Sequence, residues 1–148
     1  MRWYDKDMIG NATDAALALT HPSELKIGEG SSRSAYLING VVYKVQHEMS
    51  YADNEIEHGN MGAMIATGTQ TFSVPLTDMH GNVLAMEYID GQLTGFCMDC
   101  EDGNFHLCVD SCVSQEVANE LAMFNIIDLV YGNLVWLNDV PWIIDAAV

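Results

Sequence analysis

Hydrophobic and polar positions change period several times along this chain, and the changes mark out its elements. After a mixed lead-in, Ala15, Ala16, Leu17, Ala18 and Leu19 form an apolar run. Asn11 offers a cap for a helix beginning at Ala12, with Asp14 in its first turn, and His21-Pro22 ends it. This helix is expected to shield one edge of the sheet that follows. Residues 25–45 switch to alternation on either side of Asn39-Gly40, a pair that favours a two-residue hairpin turn. A glycine-rich turn, Gly28-Glu29-Gly30-Ser31-Ser32, opens this stretch, and Lys44 lies on its return strand between Tyr43 and Val45. Residues 50–67 return to helical spacing, with Glu57, Met61, Met64 and Ile65 on one face.

Residues 72–76 and 83–89 read as two further strands around a turn at 78–82, and Asp90-Gly91 breaks the pattern. Residues 107–124 predict a helix with Leu107, Val109, Val113, Val117, Leu121 and Phe124 turned inward. Residues 134–137 and 142–144 then predict a hairpin around a turn at 138–141. Helices mixed with short antiparallel strands give an α+β class. At 148 residues the chain fits one domain with a real core.

Composition narrows the function. Apolar residues make up 49%, which argues against wholesale disorder. Against 21 acidic residues stand 5 basic ones, for a net charge of −16. Such a surface repels nucleic-acid phosphates, so no direct nucleic-acid binding is expected, and it suits a partner with a basic surface. A DNA-mimicking inhibitor would share this balance. No apolar stretch approaches the roughly 18 residues of a membrane span, and the N-terminus lacks a signal-peptide core. The expectation is a cytoplasmic protein without membrane contact, its four cysteines reduced or metal-bound.

Those cysteines cluster. Cys97-x2-Cys100 and Cys108-x3-Cys112 flank His106. Four thiolates, or three with the histidine, can hold Zn²⁺ tetrahedrally. The other reading makes Cys108 and Cys112 small core residues of the next helix.

Three polar residues stand out in the apolar C-terminal run: Asp128, Asn133 and Asp145. A carboxylate that orients an acceptor hydroxyl, with an Asn and an Asp on Mg²⁺, is the set phosphoryl transfer uses. Otherwise Asp128 caps a turn, Asn133 sits in a loop and Asp145 lies near a frayed end. Upstream, glycines let backbone N–H groups approach phosphates, and a lysine on the adjacent strand can neutralise them. A Walker loop is excluded because Lys44 does not follow the glycines directly. Glu57, or else Glu55, would pair with Lys44 from the helix.

In this order the motifs resemble the protein-kinase-like fold over roughly residues 25–145. The early-gene protein kinases of short-tailed coliphages are most similar. They share the Gly-x-Gly run closing in Ala35-Tyr36, the Asp-x3-Gly-Asn loop that ends at Asn133, and a Val-Pro-x-Ile-x-Asp-like strand ending at Asp145. The resemblance implies a minimal two-lobed domain, with an N-lobe of a small antiparallel sheet plus helix over about 25–90 and a reduced C-lobe over about 91–148. Gly28, Gly30 and Ser31 would cover the ATP phosphates, while Lys44 holds the α/β-phosphates and pairs with Glu57. A hinge of residues 87–89, from Glu87 to Ile89, would meet adenine. Asp128 would be the base, with Asn133 and Asp145 on Mg²⁺. The chain departs from the pattern at four places. Ile126-Ile127 replaces His-Arg, Arg33 stands for the third loop glycine, Ala146-Ala147 replaces Phe-Gly, and no activation segment is expected. The expected activity is ATP·Mg²⁺-dependent transfer to a Ser or Thr hydroxyl, on a host protein or on the chain itself, in the host cytoplasm. The other reading is a catalytically weak, acidic, kinase-like binder that occupies a basic site on a host partner.

Overall fold

A computed structural model describes residues 8–93, 115–126, 134–138 and 140–146. It shows the α+β class, built on a five-stranded antiparallel sheet. The first helix, α1, spans Ala12–Ala18, and the Asn11 side chain caps it by accepting from the Asp14 N–H at 2.8 Å. Strands β1 (Lys26–Glu29), β2 (Arg33–Ile38) and β3 (Val41–Gln46) follow. Asn39 and Gly40 both take positive φ, at 50° and 79°, between β2 and β3. This mirror-image turn matches the twist of the paired strands, which is why Asn-Gly stands there. Helix α2 spans Asp53–Thr67, and β4 (Thr77–His80) and β5 (Val83–Glu87) complete the sheet in the order β1-β2-β3-β5-β4.

The period-2 alternation gives the sheet two different faces. Tyr36, Ile38, Tyr43, Val45, Val83 and Ala85 share one face and form a core with Ala15 and Ala18 of α1. Each large side chain buried there contributes about 1.5–3 kcal/mol. The helix therefore covers a face rather than an edge, its alanines allowing close approach. The opposite face carries Arg33, Ala35, Val42, Lys44 and Gln46, all set by the β2–β3 register.

The chain divides into two compact units. One holds residues up to His58 together with Leu76–Tyr88, and the other holds Gly59–Pro75 and the chain from Ile89 onward. In the second unit, β6 (Gln92–Leu93), β7 (Leu134–Leu137) and β8 (Val140–Ile143) form an antiparallel sheet in that order. Helix α3 spans Gln115–Ala122 and buries Val117 and Leu121. The Glu120 carboxylate ties it to the segment after α2 by accepting from the N–H groups of Gln70 and Thr71 and from the Thr71 hydroxyl at 2.6 Å. No helix among the described residues is long and apolar enough to cross a membrane.

Several local expectations need correction. Helix α2 starts at Asp53, not at 50, and its buried stripe runs Asn54, Glu57, Met61, Met64. Ile65 sits about 100° beyond Met64 and is exposed. Residues 72–76 are no strand, because Pro75 has no N–H to donate; Ser73 alone bridges to Trp142. Both later hairpins close more tightly than their sequences suggest. Strand β4 runs through His80, so the turn is Gly81-Asn82, and Leu137 pairs with Val140, so Pro141 lies inside β8. Proline is tolerated there because β8 is the last strand of its sheet. Phe124 is only half-buried, and Leu107, Val109 and Val113 lie outside the described residues.

Candidate functional site

Alternation along β3 places Lys44 on the face opposite the α1 core, where its side chain is buried. The burial stripe of α2 brings Glu57 to meet it. Lys44 Nζ donates to Glu57 Oε1 at 2.6 Å, and Glu57 is fully buried. Glu55, one residue off that stripe, is exposed.

A second cation joins the same carboxylate. Arg33 Nη1 donates to Glu57 Oε1 at 2.9 Å and to Asn54 Oδ1 at 3.1 Å. Asn54 in turn donates through Nδ2 to the carbonyls of Lys44 and Asn82, at 2.8 and 2.7 Å, while its own N–H is accepted by Gln46 Oε1 at 2.9 Å. The first turn of α2 is thereby fixed to β3 and to the β4–β5 turn. Among the described residues no buried side-chain nitrogen or oxygen lacks a hydrogen-bond partner, so this polar cluster is satisfied as well as buried.

The glycine-rich turn lies at the start of β2, next to Arg33. Gly30 N–H donates to the Arg33 carbonyl at 2.8 Å, and the His47 N–H donates to the Ser32 carbonyl at 2.7 Å. The His47 ring lies 3.0 Å from the Ser34 hydroxyl and 3.2 Å from the Ser31 carbonyl, and Ser32 donates to the Asp53 carboxylate of α2. The Lys26 ammonium beside Glu29 holds that carboxyl below the usual carboxylate range. Neither Gly28 nor Gly30 has positive φ. A Cβ at Gly28 would meet open space, and one at Gly30 would come no closer than 3.9 Å to the Arg33 carbonyl. Neither conformation nor packing requires glycine at these two positions. The β1–β2 register shifts between Lys26 and Gly28, a place where a strand commonly carries glycine.

Of the residues expected to meet adenine, Glu87 donates its N–H to the Leu76 carbonyl at 2.9 Å and accepts the Leu76 N–H at Oε1 at 3.1 Å. Tyr88 is exposed and Ile89 buried, and the chain passes from the first unit to the second between them. In the second unit, Asp145 follows β8 and is half-buried. The next carbonyl, of Ala146, accepts from Asn60 Nδ2 at 2.6 Å and fixes the backbone beside it. Asp128, Asn133, His106 and the cysteines Cys97, Cys100, Cys108 and Cys112 lie outside the described residues. Among the described residues no group of three or more His, Cys, Asp and Glu side chains is placed to hold a metal ion.

No protein-family model matches this chain, and no curated protein or solved structure gives a significant match.

Arg33 and Asn54 are the site residues that sequence reasoning passes over. Arg33 reads as a missing glycine, although its place in the alternation of β2 puts it on the Lys44 face. Asn54 carries no chemical signal of its own in the sequence, although it lies three residues before Glu57 on the same stripe.

Proposed function

We propose that this chain is an ATP·Mg²⁺-dependent phosphotransferase of the protein-kinase-like type that acts on a Ser or Thr hydroxyl of a protein. The observation that carries the reading is the buried ion pair of Lys44 on the third strand and Glu57 on the following helix, in a sheet whose second strand follows a glycine-rich turn. A lysine on the third strand paired with a helix glutamate is the arrangement protein kinases use to hold nucleotide phosphates. Gly28, Gly30 and Ser31 would line the phosphates and Lys44 would neutralise them. Residues 87–89 would meet the adenine. Asp128 would take the acceptor hydroxyl proton, and Asn133 and Asp145 would hold Mg²⁺. The bound metal supplies neutralisation of the phosphate charge. The place of action is the cytoplasm of a phage host, and the acceptor a host protein or the chain itself. Zinc on Cys97, Cys100, Cys108 and Cys112 is a structural companion to this reading; a chelator would then lower the melting temperature.

The test is a calorimetric ATP titration with and without Mg²⁺, joined to labelled-phosphate transfer in host-cell extract. Asp128→Asn is expected to cut transfer by on the order of 10²-fold or more while leaving ATP·Mg²⁺ affinity nearly intact. Asp145→Asn is expected to lose both. Equal transfer by wild type and Asp128→Asn removes Asp128 as the base. The net charge of −16 favours a second reading, an acidic kinase-like binder of a basic host surface. Absence of any nucleotide binding selects it.

A further inference from the structure

Arg33 has no part in the roles proposed above, yet it is bound into the same cluster. It lies opposite Gln46 in the β2–β3 ladder while Lys44 lies opposite Ala35, so the two cations are diagonal neighbours on one face. Both donate to a single atom, Glu57 Oε1, at 2.9 and 2.6 Å. Their side chains are each 9% exposed and that of Glu57 is 0% exposed. The same Arg33 Nη1 also donates to Asn54 Oδ1, and Asn54 is itself locked to Gln46, Lys44 and Asn82.

Taking one partner from a buried ion pair leaves a charge uncompensated, which is strongly destabilising. In a simple Lys–Glu pair, the lysine cannot lean toward another anion without incurring some of that cost. A second cation on the same oxygen changes the balance. From the shared oxygen we infer that Arg33 is a positioning residue, the second counter-ion of Glu57, which frees Lys44 to lean toward a phosphate group without stranding a buried carboxylate. The phosphate half of this inference rests on the function proposed above; the shared counter-ion does not.

Two measurements separate the halves. The first is thermal unfolding of Arg33→Met, Lys44→Met and their combination. Each single variant keeps one of these cations on Glu57, so the double variant is expected to lose more melting temperature than the two singles summed. Adding Glu57→Gln to the double variant should restore much of the loss, and regained folding in that triple variant is the readout if the double does not fold. Simple additivity, or no gain from Glu57→Gln, overturns the shared counter-ion.

The second is calorimetric ATP·Mg²⁺ binding. Arg33→Met is expected to weaken affinity by about tenfold, equivalent to 1.4 kcal/mol, and Arg33→Lys to recover part of it. In a Glu57→Gln background, where position 57 carries no charge for Arg33 to counter, Arg33→Met should have no further effect. The same tenfold loss in that background would mean that Arg33 acts on the nucleotide directly or through the fold, and would overturn the positioning role. If wild type binds no nucleotide while the thermal effects are more than additive, the proposed function falls, and the phosphate half with it, while the shared counter-ion stands.

Discussion

Lys44 and Glu57 are thirteen residues apart in sequence and 2.6 Å apart in space, joined across the junction of β3 and α2. Burial gives this contact its weight, since an exposed pair of the same geometry contributes at most about 1 kcal/mol. Replacing Glu57 by Ala removes the carboxylate that faces both Lys44 and Arg33 and opens a void beneath α2. The variant is expected to lose about 3 kcal/mol in urea unfolding, the scale for breaking a buried pair. Lys44→Met, which leaves Arg33 on Glu57, should lose clearly less. Equal losses for the two would show that the carboxylate is not the centre of the cluster.

Asn54 offers a test of the polar scaffold that is independent of charge. Its side chain donates to the carbonyls of Lys44 and Asn82 and accepts from Arg33. Asn54→Ala strands partners at buried Lys44 on β3 and buried Arg33 on β2, and releases the carbonyl of exposed Asn82 on the β4–β5 turn. The expected cost is about 2–3 kcal/mol. Amide hydrogen exchange should rise at the start of α2 in this variant while the α1 face of the sheet keeps its protection. Uniform loss of protection would indicate global rather than local loosening.

What the sequence made legible follows from period and turn chemistry. Asn39-Gly40 demands positive φ at two successive residues, so the β2–β3 hairpin and its register could be read directly, and with them the face that Lys44 occupies. The Asn11 cap likewise marked the start of α1. The role of Arg33 was not legible, because a lone arginine after a glycine-rich turn looks like loop sequence until the partner strand and helix are known. The stripe through Met61 and Met64 already points to Glu57, four residues before Met61, and buried Asn54 extends that stripe and leaves Glu55 off it. Pro141 misled for a local reason: it signals a turn, yet an edge strand accepts it. The Glu120 clamp had no signal at all, since it joins side chain to backbone across residues 49 and 50 apart.

Glu120 also makes stability depend on pH. Burial pushes its carboxyl up, but the Thr71 hydroxyl and the N–H groups of Thr71 and Gln70 outweigh that and hold it below the ordinary value of 4.5. A carboxyl depressed in the folded state contributes stability that is present above the unfolded value and is lost as pH falls through the folded one. Glu120→Gln is therefore expected to destabilise the protein at pH 7 by roughly 1–2 kcal/mol, the scale of hydrogen bonds to a charged group. The difference from wild type should shrink as pH is lowered below about 4.5. Melting curves of both proteins between pH 7 and pH 3 decide the matter, and a gap that stays constant would remove Glu120 as its source.

Gly28 within β1 and Gly40 after β2 differ in kind, and alanine substitution should separate them. Gly40 has φ of +79°, where a Cβ is strained whatever space surrounds it. Gly40→Ala is expected to cost about 1 kcal/mol in urea unfolding and to leave the glycine-rich turn untouched. Gly28 has no such φ, and its Cβ would point into open space. Gly28→Ala should leave stability unchanged or raise it by about 0.5 kcal/mol, because it restricts the unfolded chain at no cost to the fold. If the turn covers nucleotide phosphates, that same methyl group intrudes where the backbone must approach them. ATP·Mg²⁺ affinity should then fall by on the order of tenfold in Gly28→Ala and stay near wild type in Gly40→Ala. A stable Gly28→Ala variant that binds ATP·Mg²⁺ as wild type does would take the glycine-rich turn out of the phosphate site.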